Sequence, residues 1–394
     1  MTAPTSLPVA PLRIVVIAPL RFPIRRPHAG GLESAVWNEA QQLRARGHEV
    51  TIIAAEGSDG TEPGSEFTMP ALTWPEGAHP TDDTYPASYE TSSVPALGRA
   101  LDVIAAHPER FDVISNHCLH SLPLRRAGEL GVPMVSTLHT PVDAEMVAAH
   151  LAGLEGLGSA FLSVSEHTRA QWAAAGIQST VLSNAVDPDA WPLGPGGTHL
   201  VWFGRIVEEK APHLAIDVAE RLGMPLVLAG RVGDERYAEE RIFPRLSDTI
   251  RYAGHLSPER LAELVGRSAC SIGTPAWEEP FGLVAPEALM CGTLVASFAV
   301  GGVGEIAHGS TGMATAERGD VAGLATAVSA LVARSTNDPS FRAATRASAV
   351  ARFSLEARIE QLEGHFLTLM GRAPAPAPAS APASAPASAP EQAA

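Results

Sequence analysis

Aromatic residues are scarce in this chain of 394 residues, at 5% of positions, and cysteines number only three. Three is odd, and Cys118, Cys270 and Cys291 show no C-x-x-C spacing. That argues against a disulfide framework and for reduced thiols in the cytoplasm. No uninterrupted apolar run approaches the ~20 residues that a membrane-spanning helix needs. The opening MTAPTSLPVAPLRIVVIAPL has no basic residue before Arg13 and no proper small-residue cleavage site. It reads as a loose start and a first strand rather than as a signal peptide. Basic residues are outnumbered, 28 to 43, and the net charge of −15 argues against a dedicated nucleic-acid binder, whose affinity rests largely on neutralising phosphates. G-x-x-x-x-G-K-[ST] is absent, which excludes a P-loop enzyme.

No metal site is expected either. His117, Cys118 and His120 lack the spacing of a tetrahedral set, with no second ligand pair nearby. Asp187-Pro188-Asp189 matches a D-x-D pattern, but it lies in a Pro- and Gly-rich connection where Asp-Pro is ordinary turn chemistry. His117 retains one role, contact with a ligand, because it follows the strand DVISN.

What is present is a repeated alternation. RIVVIA (13–18) is a branched-aliphatic run suited to a buried parallel strand. A Gly-rich loop, a helix with apolar residues at Leu32, Val36, Ala40 and Leu43, and the strand HEVTIIA follow. That is a βαβ opening. Residues 56–92 are polar and read as a long loop, after which strands and helices alternate to Leu182. DPDAWPLGPGG (187–197) is the best linker, and a second alternating set starts at HLVWF (199–203). The expectation is an α/β protein of two Rossmann-like domains facing each other across a cleft, with the linker as hinge. The boundaries are a disordered start at 1–11, an N-terminal acceptor-binding domain at 12–190, and a C-terminal donor domain at 191–371. The last helix is free to pack back on the first domain. The Pro/Ala/Ser repeat of 372–394 reads as a disordered tail.

The organising stretch is GTPAWEEPFGLVAPEALMCG, 273–292. Glu279 and Glu287 stand in a Glu-x7-Glu spacing around a helix start near Leu283, since Pro286 fits only a first turn. The amides of Phe281, Gly282 and Leu283 would then lack helical partners and face an anion. Two carboxylates and free amides suit a ligand with both phosphates and hydroxyls, such as a nucleotide sugar. Arg205 and Lys210 follow strand HLVWF, at the end of a parallel strand where ligands sit, and two cations there would clamp a diphosphate. The bland alternative is a solvated pair neutralised by Glu208 and Glu209.

With these residues in place, the chain resembles the retaining glycosyltransferases of family 4, with the GT-B fold. The resemblance runs from about Arg13 to Leu369. It rests on AGG (29–31), RGHEV (46–50), STLHTP (136–141), SVSEHTR (163–169), LSNAVD (182–187), FGRIVEEK (203–210) and EEPFGLVAPEALMCGTLV (278–295). It implies that Arg205 and Lys210 hold the donor diphosphate and that Glu287 binds the ribose. Glu279 would bind sugar hydroxyls, and the amides of Phe281, Gly282 and Leu283 the distal phosphate or sugar. His139 would meet the transferred sugar near its reacting carbon, and Gly30 and Gly31 would let the first loop approach the phosphates. Three departures from the family pattern stand out: Gly304 in place of a Pro, Ala185 after Asn184, and Ala211 in place of a Gly after Lys210.

The implied activity is metal-independent, retaining transfer of a hexosyl unit from a nucleoside diphosphate sugar (UDP or GDP) to an acceptor hydroxyl, with no cofactor. The acceptor is open: a small molecule, a glycan or a lipid-linked compound. A GT-B sugar-nucleotide 2-epimerase and an inactive nucleotide-sugar binder are the competing readings. Arg21, Arg25 and Arg26 make the first loop basic. A solvated loop is the simpler reading, and contact with an anionic acceptor or a peripheral contact at the inner membrane surface is the sharper one.

Overall fold

The computed structural model describes residues 10–75, 85–153 and 158–372. Within them are two sheets, every strand pairing in parallel with its neighbours. The first holds β1 (Arg13–Ile17), β2 (Glu49–Ala55), β3 (Thr68–Met69), β4 (Val113–Asn116), β5 (Met134–Leu138), β6 (Ser159–Ser163) and β7 (Thr180–Val181). Their spatial order is β3-β2-β1-β4-β5-β6-β7. The second holds β8 (Leu200–Phe203), β9 (Leu226–Ala229), β10 (Ile250–Tyr252), β11 (Cys270–Gly273), β12 (Leu294–Phe298) and β13 (Met313–Ala316). Here the order is β10-β9-β8-β11-β12-β13. In both sheets the order reverses beside the first strand, at β1/β4 and at β8/β11. Such switch points open a crevice at the carboxyl ends of the strands.

The strands are nearly continuous apolar runs because helices cover both faces of each sheet. Val15 and Ile17 point to one buried cluster, Ile14 and Val16 to another. β8 behaves the same way, with Leu200 and Trp202 on one side and Val201 and Phe203 on the other. The solvent-shielded strand therefore loses the two-residue alternation that marks a half-exposed one.

The helix Leu355–Leu369 returns to the first sheet, inserting Leu355, Ile359, Leu362 and Phe366 beside Val36 and Leu43. Its Glu363 receives Arg46 Nε at 2.7 Å and faces His48 Nε2 at 2.9 Å, an ion cluster with the carboxylate almost fully buried.

Some elements depart from expectation. The segment 56–92 includes β3, with Met69 buried, and a turn of helix at Tyr89–Ser93 that leads into the helix Val94–Ala106. After β12 come the five-residue helix Val303–Ala307 and β13. The expected linker 187–197 is pinned to the second domain. Gly194 N donates to Cys291 O at 3.0 Å and Gly196 N to Gly266 O at 2.9 Å, while Arg346 donates to the Pro188 and Trp191 carbonyls. Just before this linker stands Val186, whose amide donates to Phe353 O at 2.8 Å and whose carbonyl accepts from Leu355 N at 3.0 Å. The two stretches of the chain lie side by side there. Residues 1–9 and 373–394 of the expected disordered ends lie outside the described residues.

Candidate active site

Both domains line a cleft of about 770 Å³, and among its lining residues are Gly30, Gly31, His139, Arg205, Lys210, Glu279, Phe281, Gly282, Leu283 and Glu287. The second domain supplies the charged wall. β8 ends at Phe203, and the chain then turns so that Arg205 NH2 donates to Glu209 Oε1 at 3.0 Å. The short turn Glu208–Lys210 ends at Ala211, which has φ 45° and ψ 51°. This left-handed backbone explains why glycine suits the position, since a Cβ there costs roughly 1 kcal/mol. The turn is tied to the exit of β11, because Thr274 Oγ1 donates to the Lys210 and Ala211 carbonyls, each at 3.0 Å. Lys210 Nζ is thereby aimed at Glu279, with which it forms an ion pair. Trp277, which sequence reasoning missed, donates its Nε1 to the same carboxylate oxygen at 3.1 Å. Its ring centroid lies 4.9 Å from Lys210 Nζ, so the cation rests against an aromatic face.

Between Glu279 and Glu287 the chain passes through Gly282 at φ +91°, where a Cβ would come within 2.9 Å of Val303. Only glycine meets both the dihedral and the space. The helix then spans Val284–Met290, with Leu283 as its N-cap. Among the described residues, the amides of Phe281, Gly282 and Leu283 meet no backbone acceptor. The Phe281 side chain turns away into the core, edge-on to Phe353. Glu287 lies in the first turn of this helix, and its carboxylate makes no hydrogen bond or ion pair among the described residues. Burial pushes its pKa up to about 8.

The first domain supplies the opposite wall. Gly30 caps the helix Gly31–Ala45 in extended backbone, and a Cβ on Gly31 would sit 3.3 Å from Leu283 Cδ1. Gly31 thus lets the start of one helix approach the start of the other across the cleft. His139 follows β5, and its Nε2 lies 2.9 Å from His117 Nδ1. Burial, with the Arg358 charge adding to it, holds the His139 pKa well below its ordinary value. His117 itself is 1% exposed and sits behind His139, so the expected ligand contact of His117 gives way to a supporting one. The first loop splits. Arg25 and Arg26 are exposed, whereas Arg21 is 5% exposed and its guanidinium lies 5.2 to 5.6 Å from the rings of Phe22, Trp74 and Tyr85. Across the cleft, Arg231 Nε donates to Ala29 O at 3.2 Å, a contact no sequence signal suggested. Among the described residues no three His, Cys, Asp or Glu side chains gather as a metal site, and no helix is long and apolar enough to cross a membrane.

Two family models match successive stretches of the chain. Residues 29–190 match the family model "Glycosyltransferase Family 4", and residues 188–348 match "Glycosyl transferases group 1". A glycogen synthase of Mycobacterium tuberculosis is 28% identical over 375 residues, covering 82% of this chain and 86% of that protein. A D-inositol 3-phosphate glycosyltransferase of Mycolicibacterium smegmatis is 28% identical over 420 residues, covering 93% and 94%. Among solved structures, Anabaena Alr3699/HepE in complex with UDP-glucose aligns with a TM-score of 0.67 at 17% identity, over 91% of this chain and 100% of that one. Sucrose-phosphate synthase from Thermosynechococcus elongatus aligns with a TM-score of 0.70 at 19% identity, over 91% and 99%.

Proposed function

We propose that this chain, which has the GT-B fold and matches glycosyltransferase family models in each half, moves a hexosyl unit from a nucleoside diphosphate sugar to an acceptor hydroxyl with retention at the anomeric carbon. One observation carries the reading: Arg205, Lys210, Glu279 and Glu287 share one wall at the ends of β8 and β11, with His139 on the other. Arg205 and Lys210 hold the diphosphate and balance the charge that develops on it as the glycosidic bond breaks. Cations placed in advance of the reaction do this without reorganisation, so no metal is assigned a step. Lys210 and Glu279, paired in the structure, part their roles when the donor binds: Lys210 turns to phosphate and Glu279 accepts from sugar hydroxyls. Glu287 accepts from the ribose hydroxyls, and the amides of Phe281, Gly282 and Leu283 take the distal phosphate or the sugar. Closure of the cleft excludes water and limits hydrolysis.

UDP-glucose is the first donor to try, because a fold neighbour binds it. The test is a thermal-shift panel of UDP- and GDP-sugars followed by transfer of labelled sugar to candidate acceptors, with the anomer read by NMR. Lys210→Ala and Glu279→Ala should each lower kcat by about 100-fold or more, the scale seen when a preorganised electrostatic contact is removed. Full turnover in either variant, a 2-epimer as the product, or inversion at the anomeric carbon would overturn the assignment.

A further inference from the structure

Behind His139 lies a buried chain of polar groups that the reaction scheme above does not use. Glu39, on the helix Gly31–Ala45, is 1% exposed. Its Oε1 accepts from Ser115 Oγ at 2.6 Å and faces His117 Nε2 at 2.8 Å. Its Oε2 accepts from Arg358 NH1 at 2.9 Å, and Arg358 comes from the C-terminal helix Leu355–Leu369, 319 positions away. His117 Nδ1 then meets His139 Nε2 at 2.9 Å. His139 is the one member of this line that faces the cleft.

We propose that Glu39 and His117 are positioning residues that fix His139 as its Nε2–H tautomer, so that its Nδ1 meets the ligand as a hydrogen-bond acceptor. The inference rests on the reading of His139 as a sugar contact. The logic is one of proton count. A carboxylate only accepts, so the His117 nitrogen facing Glu39 must carry the proton. Burial alone would raise the Glu39 carboxyl, but the Arg358 charge and the hydrogen bonds from His117 and Ser115 hold it below the usual carboxylate range. The Arg358 charge already offsets that of Glu39, so a second proton on His117 would leave a net charge buried without a counter-ion. His117 Nδ1 is therefore bare and accepts from His139 Nε2–H. One proton is left for the His139 ring, which puts the lone pair on Nδ1. The same device fixes metal-bound imidazoles, where a carboxylate behind a histidine sets its tautomer and orientation.

Two consequences separate this from a purely structural ion cluster. A hydroxyl can donate to His139, whereas a ligand group that only accepts is repelled. The C-terminal helix also becomes part of the site, because Arg358 sets the charge balance of the line.

The experiment uses full-length protein carrying 15N-labelled histidine. The His139 signals are identified by their loss in His139→Gln, and long-range 1H–15N correlation reads which nitrogen is protonated. Wild type should show His139 protonated on Nε2 and bare on Nδ1. In Glu39→Gln the amide can donate to His117 Nε2, which moves the His117 proton to Nδ1 and inverts the His139 tautomer. With UDP-glucose as probe donor, kcat in Glu39→Gln should fall about 10- to 100-fold with KM for the donor little changed, and Glu39→Asp should recover part of it. A proton on His139 Nδ1 in wild type overturns the proposal, and so does Glu39→Gln with either its tautomer or its kcat unchanged. If Glu39→Gln does not fold, the wild-type spectrum decides alone. A wild type that ignores UDP-glucose would sink that donor assignment, while the tautomer still reports on the relay.

Discussion

Glu287 lies in the first turn of its helix with its carboxylate unpaired among the described residues, and burial lifts its pKa from 4.5 to about 8. The folded, ligand-free protein therefore holds a proton there at neutral pH, which the unfolded chain releases. The stability associated with this proton is whole below about pH 4.5 and is lost as pH rises through 8. Denaturant unfolding at pH 5 and pH 9 should show this fall in wild type and a flatter response in Glu287→Gln. Ribose hydroxyls donate well only to the ionised form. Binding of UDP at pH 7 should therefore release up to one proton, read by calorimetry in two buffers of different ionisation enthalpy. Ala211 makes a second point at this scale. Its left-handed φ of 45° is strained for any residue with a Cβ. Ala211→Gly should raise stability by about 0.5–1 kcal/mol in chemical denaturation, the strain relieved exceeding the added freedom of the unfolded chain.

The C-terminal helix Leu355–Leu369 shows how an element near the end of the described chain becomes structural in the first domain. Its apolar stripe of Leu355, Ile359, Leu362 and Phe366 follows helical spacing and closes the face of β1 opposite the other core cluster. Phe366 is fully buried there. Phe366→Ala should cost about 3–5 kcal/mol in equilibrium unfolding, the transfer and cavity terms together. Such a loss should also weaken activity, since the same helix holds Arg358 against Glu39. Charged residues on apolar faces were the signal that sequence reading passed over. Glu39 falls beside Val36, Ala40 and Leu43 on one helix, and Arg358 between Leu355 and Leu362 on the other. A charge at a core-facing position demands a partner, and each of these two is the partner of the other.

Across the whole molecule, polar contacts around the cleft help to join the two domains. Glu305 reaches from the second domain to the start of the helix Glu166–Ala174, accepting from the amides of Glu166 at 2.8 Å and His167 at 2.6 Å. Ser165 Oγ donates to Pro280 O at 2.6 Å on the same seam. A helix start has amides without helical partners, so a carboxylate arriving from the other domain both caps that helix and latches the two halves. Glu305→Ala should lower stability by about 1 kcal/mol. It should also increase the radius of gyration of the ligand-free protein in solution scattering, with saturating UDP restoring compactness. Val186 and Ser354, paired side by side, give this motion its pivot.

Local pattern was enough to announce two sets of alternating strands and helices, because buried parallel strands are written as short branched-aliphatic runs and their helices as spaced apolar stripes. The charged motifs Arg205–Lys210 and Glu279–Glu287 were legible for the same reason: each is contiguous, and its spacing already implies a turn or a helix start. Tertiary structure alone decided that Lys210 pairs with Glu279, that Arg21 is enclosed by aromatic rings, and that His117 stands behind His139. It also brought Arg358 to Glu39 and set Val186 beside Ser354. These depend on residues tens to hundreds of positions apart, and a contact of that range is fixed by how the elements pack, which no local pattern in the chain encodes.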